Sequence, residues 1–350
     1  MTIDHLALAR ARRALTEAGL DPDEPLERAS SVTNEVWLSP RYVIRVNRKL
    51  SQRLRREAIL GPRLPPEVGY PPIVAYGGEL GADYLIVQRV PGQPLTRLWP
   101  AMTDFERRRA VTQLARILRR LHETPKPPAL PAPDHAPELL DPTRLPLVAP
   151  LLDALDELAT CTGLDTGLLA DARHLVLAST AALEPYPTDH LVHGDLHLQN
   201  VLWDGFVVTA LVDFEYARGA PADLDLDMFL RFCARPGWFV PDELVPLTRA
   251  EDYAAVPYWL RDEYPELFSH PYLLDRLLLF GLSHDVYDLL TEVREGPLPV
   301  GVSDLPTSHA YKRIEATLRG RSHLHRFAGH HAWDELASDQ EPREPLIPDR

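Results

Sequence analysis

Hydrophobic and polar positions change their period along this chain, and the change near residue 92 divides it into two kinds of element. Asp4 caps a helix that is predicted to run to about Ala18, where Gly19 stops it. Short alternating runs follow. Asn34–Leu38 places Val36 and Leu38 on one side, and Arg41–Asn47 puts Tyr42, Ile44 and Val46 opposite Val43 and Arg45. Ser39-Pro40 between them reads as a turn. A helix is predicted over about Ser51–Leu60, with Leu50, Leu54, Glu57, Ala58 and Gly61 at helical spacing. Glu57 therefore lies on or beside the apolar stripe, where a carboxylate is costly without a cationic partner. After Pro71-Pro72, strands are predicted at Ile73–Gly77 and at Ala82–Val90, where Tyr84, Ile86 and Gln88 alternate with Leu85 and Val87.

Beyond Pro91-Gly92 the period becomes helical. Thr103-Asp104-Phe105-Glu106 is a capping box that opens a helix to Leu121-His122, with Phe105, Leu114, Leu118 and Leu121 as its stripe. Pro125–Pro150 is a long proline-rich connection. Helices are predicted near Leu151–Ala159 and Leu168–Leu183. Leu191–Glu215 returns to extended structure, and Asn200–Trp203 and Val207–Asp213 form a hairpin across Asp204-Gly205. Helices resume after Asp223. The polar, His-rich chain beyond about Gly320 is expected to be poorly ordered.

Composition narrows the function. A formal charge of −14 argues against nucleic acid and against anionic membranes, both of which call for a basic face. No run approaches the ~20 apolar residues of a membrane span, and Met1–Arg13 carries no secretory signal. Cys161 and Cys233 lack metal-ligand spacing and fit free thiols in a reducing compartment. The expectation is a cytoplasmic protein with a small-molecule partner and no predicted oligomeric state.

The strongest chemical feature runs from Leu191-Val192-His193-Gly194-Asp195 to Asn200, then through the hairpin to Leu211-Val212-Asp213-Phe214-Glu215. Apolar residues deliver the chain to a polar loop holding a carboxylate and, five residues later, an amide. The hairpin returns it to a second carboxylate at the end of an apolar strand. Phosphoryl transfer needs a carboxylate that orients the attacking hydroxyl, and oxygen ligands that hold Mg²⁺ against the phosphates. Asp195 is the candidate base, and Asn200 and Asp213 are the candidate metal ligands. His193 and His197 have the spacing of a helical zinc pair, but Gly194 and the strand pattern argue against a helix there.

With these residues the sequence resembles the aminoglycoside phosphotransferase and choline kinase family, relatives of protein kinases. The match is carried by His193-Gly194-Asp195-Leu196-His197 with Asn200, by Asp213, and by Gly219-Ala220-Pro221-Ala222-Asp223-Leu224; it spans about Arg28 to Phe232. The resemblance implies an α+β, two-lobed protein-kinase-like fold. A small antiparallel-sheet lobe would cover residues 1–90, a larger mainly helical lobe residues 91–320, and a polar tail residues 321–350. It implies ATP or GTP as donor, with Mg²⁺, as two ions. It places Arg45 where the family has a strand-borne Lys or Arg on the nucleotide phosphates, and Glu57 as its helix partner. Arg in place of Lys departs from the best-known members, although a guanidinium binds phosphate through two hydrogen bonds. Ser30-Ser31-Val32-Thr33-Asn34 would be the phosphate-covering turn, with Ser31 and Thr33 facing phosphate, and it lacks glycine. Backbone groups of Gln88 and Val90 would read the base. His193, His197 and Asp223 would support the loop, Asp223 by hydrogen bonds to it.

The acceptor pocket is expected in the C-terminal region, with Asp225, Asp227, Trp259, Glu263, Tyr264, His284, Asp285 and Asp288 as candidates. His323, His325, His330 and His331 are read as solvated surface. Three readings stay open. The first is antibiotic inactivation by phosphorylation. The second is a metabolic kinase acting on an amino alcohol, sugar or nucleoside. The third is an inactive nucleotide-binding scaffold, against which the intact Asp195, Asn200 and Asp213 argue.

Overall fold

The protein was studied as a computed structural model that describes residues 3–29, 34–134, 138–295 and 308–328. In chain order the elements are α1 (Ile3–Glu17), β1 (Glu27–Ala29), β2 (Glu35–Leu38), β3 (Tyr42–Val46), α2 (Arg53–Leu60), β4 (Ile73–Gly77), β5 (Tyr84–Gln88), β6 (Gln93–Pro94), α3 (Leu95–Leu98) and α4 (Asp104–His122). They continue with α5 (Ala149–Leu158), α6 (Thr166–Ser179), β7 (Leu191–Val192), β8 (Val201–Trp203), β9 (Val208–Leu211), β10 (Arg218–Gly219), α7 (Asp223–Ala234), α8 (Val256–Glu263), α9 (Leu273–Glu295), α10 (His309–Leu318) and α11 (His323–Ala328). An antiparallel sheet and a mainly helical part make this a protein-kinase-like α+β fold. The chain groups into two compact units. One comprises Met1–His135, Asp189–Ala220 and Arg235–Glu263, and the other Ala136–Thr188, Pro221–Ala234 and Tyr264–Arg350.

In the first unit a five-stranded sheet has the order β1-β2-β3-β5-β4, with antiparallel pairing throughout. Alternation in β3 settles its two faces. Ile44 and Val46 join Trp37, Tyr84 and Ile86 against Ala7, Ala11, Ala14 and Leu15 of α1. Val43 joins Leu85, Val87 and Leu54 of α2 on the other side. Arg45 shares Val43's side and so points toward α2, which is what the two-residue period predicts. The turn at Ser39-Pro40 closes because Ser39 Oγ accepts from the backbone N–H groups of Arg41 and Tyr42, at 3.1 and 2.8 Å.

Several elements lack a sequence signal. β1 is three residues long with two of them charged, and β6, β7 and β10 have two residues each, too few to show a period. Phe105, expected on the stripe of α4, is 76% exposed. Its position follows from the capping box, which puts it on the first turn before the buried run from Ala110 to Leu121 begins. Leu50 is likewise exposed, because α2 starts only at Arg53.

The second unit packs α5, α6, α7, α9 and α10, and α7 and α9 bring charge into its core. Asp223, Asp225, Asp227, Arg231, Asp275, Arg276 and Asp285 are all buried. Arg231 and Arg313 both donate to Asp285, each at 2.6 Å, and Arg313 reaches Asp288 at 2.5 Å. Asp227 is different: its Oδ1 is buried with no hydrogen-bond partner among the described residues. Burial pushes its carboxyl up to about 7, against the pull of Arg231 and with help from Asp285, Glu138 and Asp223. A carboxyl raised on folding stabilises fully below its unfolded value near pH 4, and that contribution is lost as pH rises through 7. Asp227→Asn is therefore expected to remove a loss of roughly 2–3 kcal/mol that the parent protein suffers between pH 5 and 8. Urea unfolding at the two pH values checks this, and identical slopes in both proteins would contradict it. The part of the tail expected to be poorly ordered begins with α11, while residues 329–350, with His330 and His331, lie outside the described residues.

Candidate active site

The candidate catalytic loop is held by backbone bonds before any side chain acts. β7 leads into it and pairs with β10. Gly194 has φ +80 and lies so close to the chain beyond the hairpin that an added Cβ would sit 2.4 Å from Tyr216 O. Both facts demand glycine. Gly194→Ala is expected to displace Asp195 and cut turnover at least tenfold, with a lowered melting temperature; unchanged values for both would refute this.

His193 ties the loop to the strand that ends at Asp213. The Asp195 N–H donates to its Nδ1 at 3.3 Å, and its Nε2 lies 2.9 Å from Val212 O. These bonds require a neutral ring protonated on Nε2. The ring also packs against Phe214, with centroids 4.6 Å apart. Asn200 makes the complementary links. Its Nδ2 donates to Asp195 O at 3.0 Å, and its backbone carbonyl accepts from Val212 N at 2.9 Å. Thr96 Oγ1 of α3 bonds Gln199 in the same loop. His197 Nε2 lies 3.5 Å from Asp195 Oδ2 and 3.4 Å from Asn200 Nδ2, with its ring beside Phe239. Asp195, Asn200 and Asp213 thus stand on backbone segments that are bonded directly to one another.

Asp213 has φ 68 and ψ 59, the one non-glycine residue with positive φ among those described. Aspartate tolerates this left-handed region better than most side chains. Its Oδ1 accepts from Arg45 Nη2 at 3.1 Å. Arg45 Nη1 donates to Glu57 Oε1 at 2.5 Å, and Tyr70 OH donates to Glu57 Oε2 at 3.0 Å. The cation that Glu57 required is therefore Arg45. Glu215 Oε2 lies 3.8 Å from both Arg45 and Arg53. Burial and the neighbouring Asp213 push Glu215 up to about 8, while the two arginines oppose this. Burial raises Glu57 as well, and Glu57, Asp213 and Glu215 together raise Arg45, which stays a cation.

The donor set suits Mg²⁺. Asp213 offers a carboxylate that is about a third exposed. Asn200, with Nδ2 engaged by Asp195 O, offers its amide oxygen. Both are hard oxygen donors, and a site with few protein ligands is typical where phosphates and water complete the shell. Among the described residues no group of three His, Cys, Asp or Glu has metal-binding geometry, and a two-ligand site of this kind is not such a group.

The remaining candidates fall as follows. The Gln88 N–H donates to Pro72 O at 2.9 Å, so only its carbonyl remains to face a base; Val90 is half-buried. Ser31 and Thr33 lie outside the described residues. Asp223 is buried and takes both Nε and Nη2 of Arg276. Among the acceptor candidates, Glu263 accepts from Thr112 Oγ1 at 2.9 Å, Tyr264 is buried, and Trp259 is half-buried. Asp225 is fully buried, and His284 lies 3.9 Å from Asp288. Sequence reasoning missed Arg53 and Arg56, which reach the segment after Asp213. Helical spacing shows which face of α2 they occupy, but nothing local shows what meets that face.

A profile of the phosphotransferase enzyme family matches residues 25–261. The chain belongs to this family. No curated protein matches it. Among solved structures, a choline/ethanolamine kinase family protein from Mesorhizobium loti superposes with a TM-score of 0.62 at 16% identity, covering 96% of this chain and 98% of its own. An aminoglycoside 2'-phosphotransferase in complex with GDP gives 0.62 at 19% identity, covering 89% and 97%. An aminoglycoside phosphotransferase in ternary complex with ADP and hygromycin B gives 0.58 at 16% identity, covering 91% and 99%. At such identities the likeness is one of fold. Family membership makes the protein an enzyme, a phosphotransferase. No described helix is long and apolar enough to cross a membrane.

Proposed function

We propose that this phosphotransferase moves the γ-phosphoryl group of ATP or GTP to a hydroxyl of a small molecule, with Asp195 as the base and Mg²⁺ held by Asn200 and Asp213. The observation that carries the reading is Arg45, half-buried on β3 and anchored by Glu57 at 2.5 Å while reaching Asp213 Oδ1 at 3.1 Å. A cation held this way is pre-oriented toward the metal-binding carboxylate, and phosphoryl transfer depends mainly on such positioning and charge. Arg45 positions the phosphates. Asp195 orients the acceptor hydroxyl and takes its proton. The metal, when bound, neutralises charge on the phosphates. His193 and His197 hold the loop in shape, and Asp223 supports the fold through Arg276. Ser31, Thr33, Gln88 and Val90 complete the nucleotide site. The lobe boundary falls near residue 90, and the protein works in the cytoplasm.

The acceptor we propose is an antibiotic, whose phosphorylation confers resistance. The neighbour solved with ADP and hygromycin B supports this choice. A metabolic amino alcohol is the second reading, supported by the choline/ethanolamine kinase neighbour. Label transfer from radioactive ATP and GTP to kanamycin, hygromycin B, choline and ethanolamine tests both. Label confined to the antibiotics supports the resistance role, and label confined to the amino alcohols ends it.

A further inference from the structure

Arg56 is 1% exposed, yet no carboxylate hydrogen-bonds its guanidinium among the described residues. Nε donates to Glu215 O at 3.2 Å and Nη2 to Ala217 O, while Nη1 is buried with no hydrogen-bond partner among those residues. The burial lowers its pKa to about 10, with a further push from the nearby Arg218. A hydrocarbon side chain of similar volume would fill this place at lower cost in desolvation. Filling space therefore does not explain the guanidinium. Its fork does something a hydrocarbon cannot do: it grips two carbonyls on either side of residue 216.

The position of that grip is informative. Asp213 lies just upstream, in the left-handed conformation. Glu57, the next residue on α2, holds the Arg45 that bonds the Asp213 carboxylate. Arg53, one turn earlier, bonds Tyr216 OH at 3.2 Å and stacks over its ring. One short helix thus reaches the Asp213 segment three times: through Glu57 and the Arg45 it holds at the carboxylate, through Arg53 at the Tyr216 side chain, and through Arg56 at the backbone that follows.

We infer that Arg56 is a positioning residue for the metal site, fixing the backbone of residues 215–217 so that the Asp213 carboxylate is presented to the cation. This inference rests on the assignment of Asp213 as a metal ligand. A metal held by Asp213 would not touch Arg56, so loss of the clamp is expected to weaken only the metal-dependent part of nucleotide binding.

Calorimetric titration of the full chain with ADP, in Mg²⁺ and in EDTA, tests it. Arg56→Met is expected to lower affinity for ADP with Mg²⁺ at least tenfold and to leave affinity in EDTA within twofold. Arg56→Lys, which reaches one carbonyl at a time, is expected to fall between the two proteins. It decides the matter if the Met variant does not fold. Affinities that fall equally in Mg²⁺ and EDTA, or that do not fall at all, overturn the inference. A different result marks failure of the underlying assignment: Asp213→Asn would then keep the full Mg²⁺ dependence of the parent, and this inference would fall with it.

Discussion

Asp195→Asn is expected to lower phosphoryl transfer about 10²- to 10⁴-fold, the range for loss of a positioned base, while ATP affinity stays within about threefold of the parent. The exchange is nearly isosteric. The backbone bonds that shape the loop, from Asp195 N to His193 and from Asn200 to Asp195 O, do not involve the carboxylate. What disappears is a negative oxygen able to accept the proton of the attacking hydroxyl. Single-turnover label transfer, combined with equilibrium ATP binding, separates the two effects. Equal loss of both would mean that the substitution disturbed the fold, and retention of both would remove Asp195 from the reaction.

The second large effect concerns stability and lies within the helical unit. Arg276→Met is expected to cost roughly 3–5 kcal/mol, because removing one partner leaves a buried charge uncompensated. Arg276 is 1% exposed and gives both Nε and Nη2 to Asp223, Nη1 to Ala182 O at 3.0 Å, and its face to the Phe280 ring at 5.6 Å. The double variant Asp223→Leu, Arg276→Met removes both charges and should recover much of the loss. Urea denaturation of the two variants provides the measurement. A single variant as stable as the parent would show that the pair contributes nothing.

Asp223 also illustrates where sequence reasoning reached its limit. The resemblance implied a structural role for it through hydrogen bonds to the catalytic loop, whereas the side-chain bonds it makes go to Arg276. That partner was not legible, since Arg276 lies 53 positions away on a helix whose own pattern shows only an apolar stripe with charges in it. The same holds for the acceptor candidates. Asp285 and Asp288 stood out as acidic residues on an apolar helix, and the structure shows their charge met by Arg231 and Arg313. Glu57 was the more favourable case. A carboxylate on an apolar stripe announces that it needs a cation, and the alternation of β3 had already turned Arg45 to the side where α2 packs.

Local order was written in the chain itself. The strands between Glu35 and Gln88, the capped helix from Asp104, the hairpin after Asn200 and the succession of Asp195, Asn200 and Asp213 all follow from periods and turn residues acting over a few positions. Folding alone decided which charges meet. Arg45 finds Asp213 across 168 positions, and Arg56 finds Ala217 across 161. No local pattern encodes such a meeting, because the cost of burying a charge is set by whatever group the rest of the chain delivers to it.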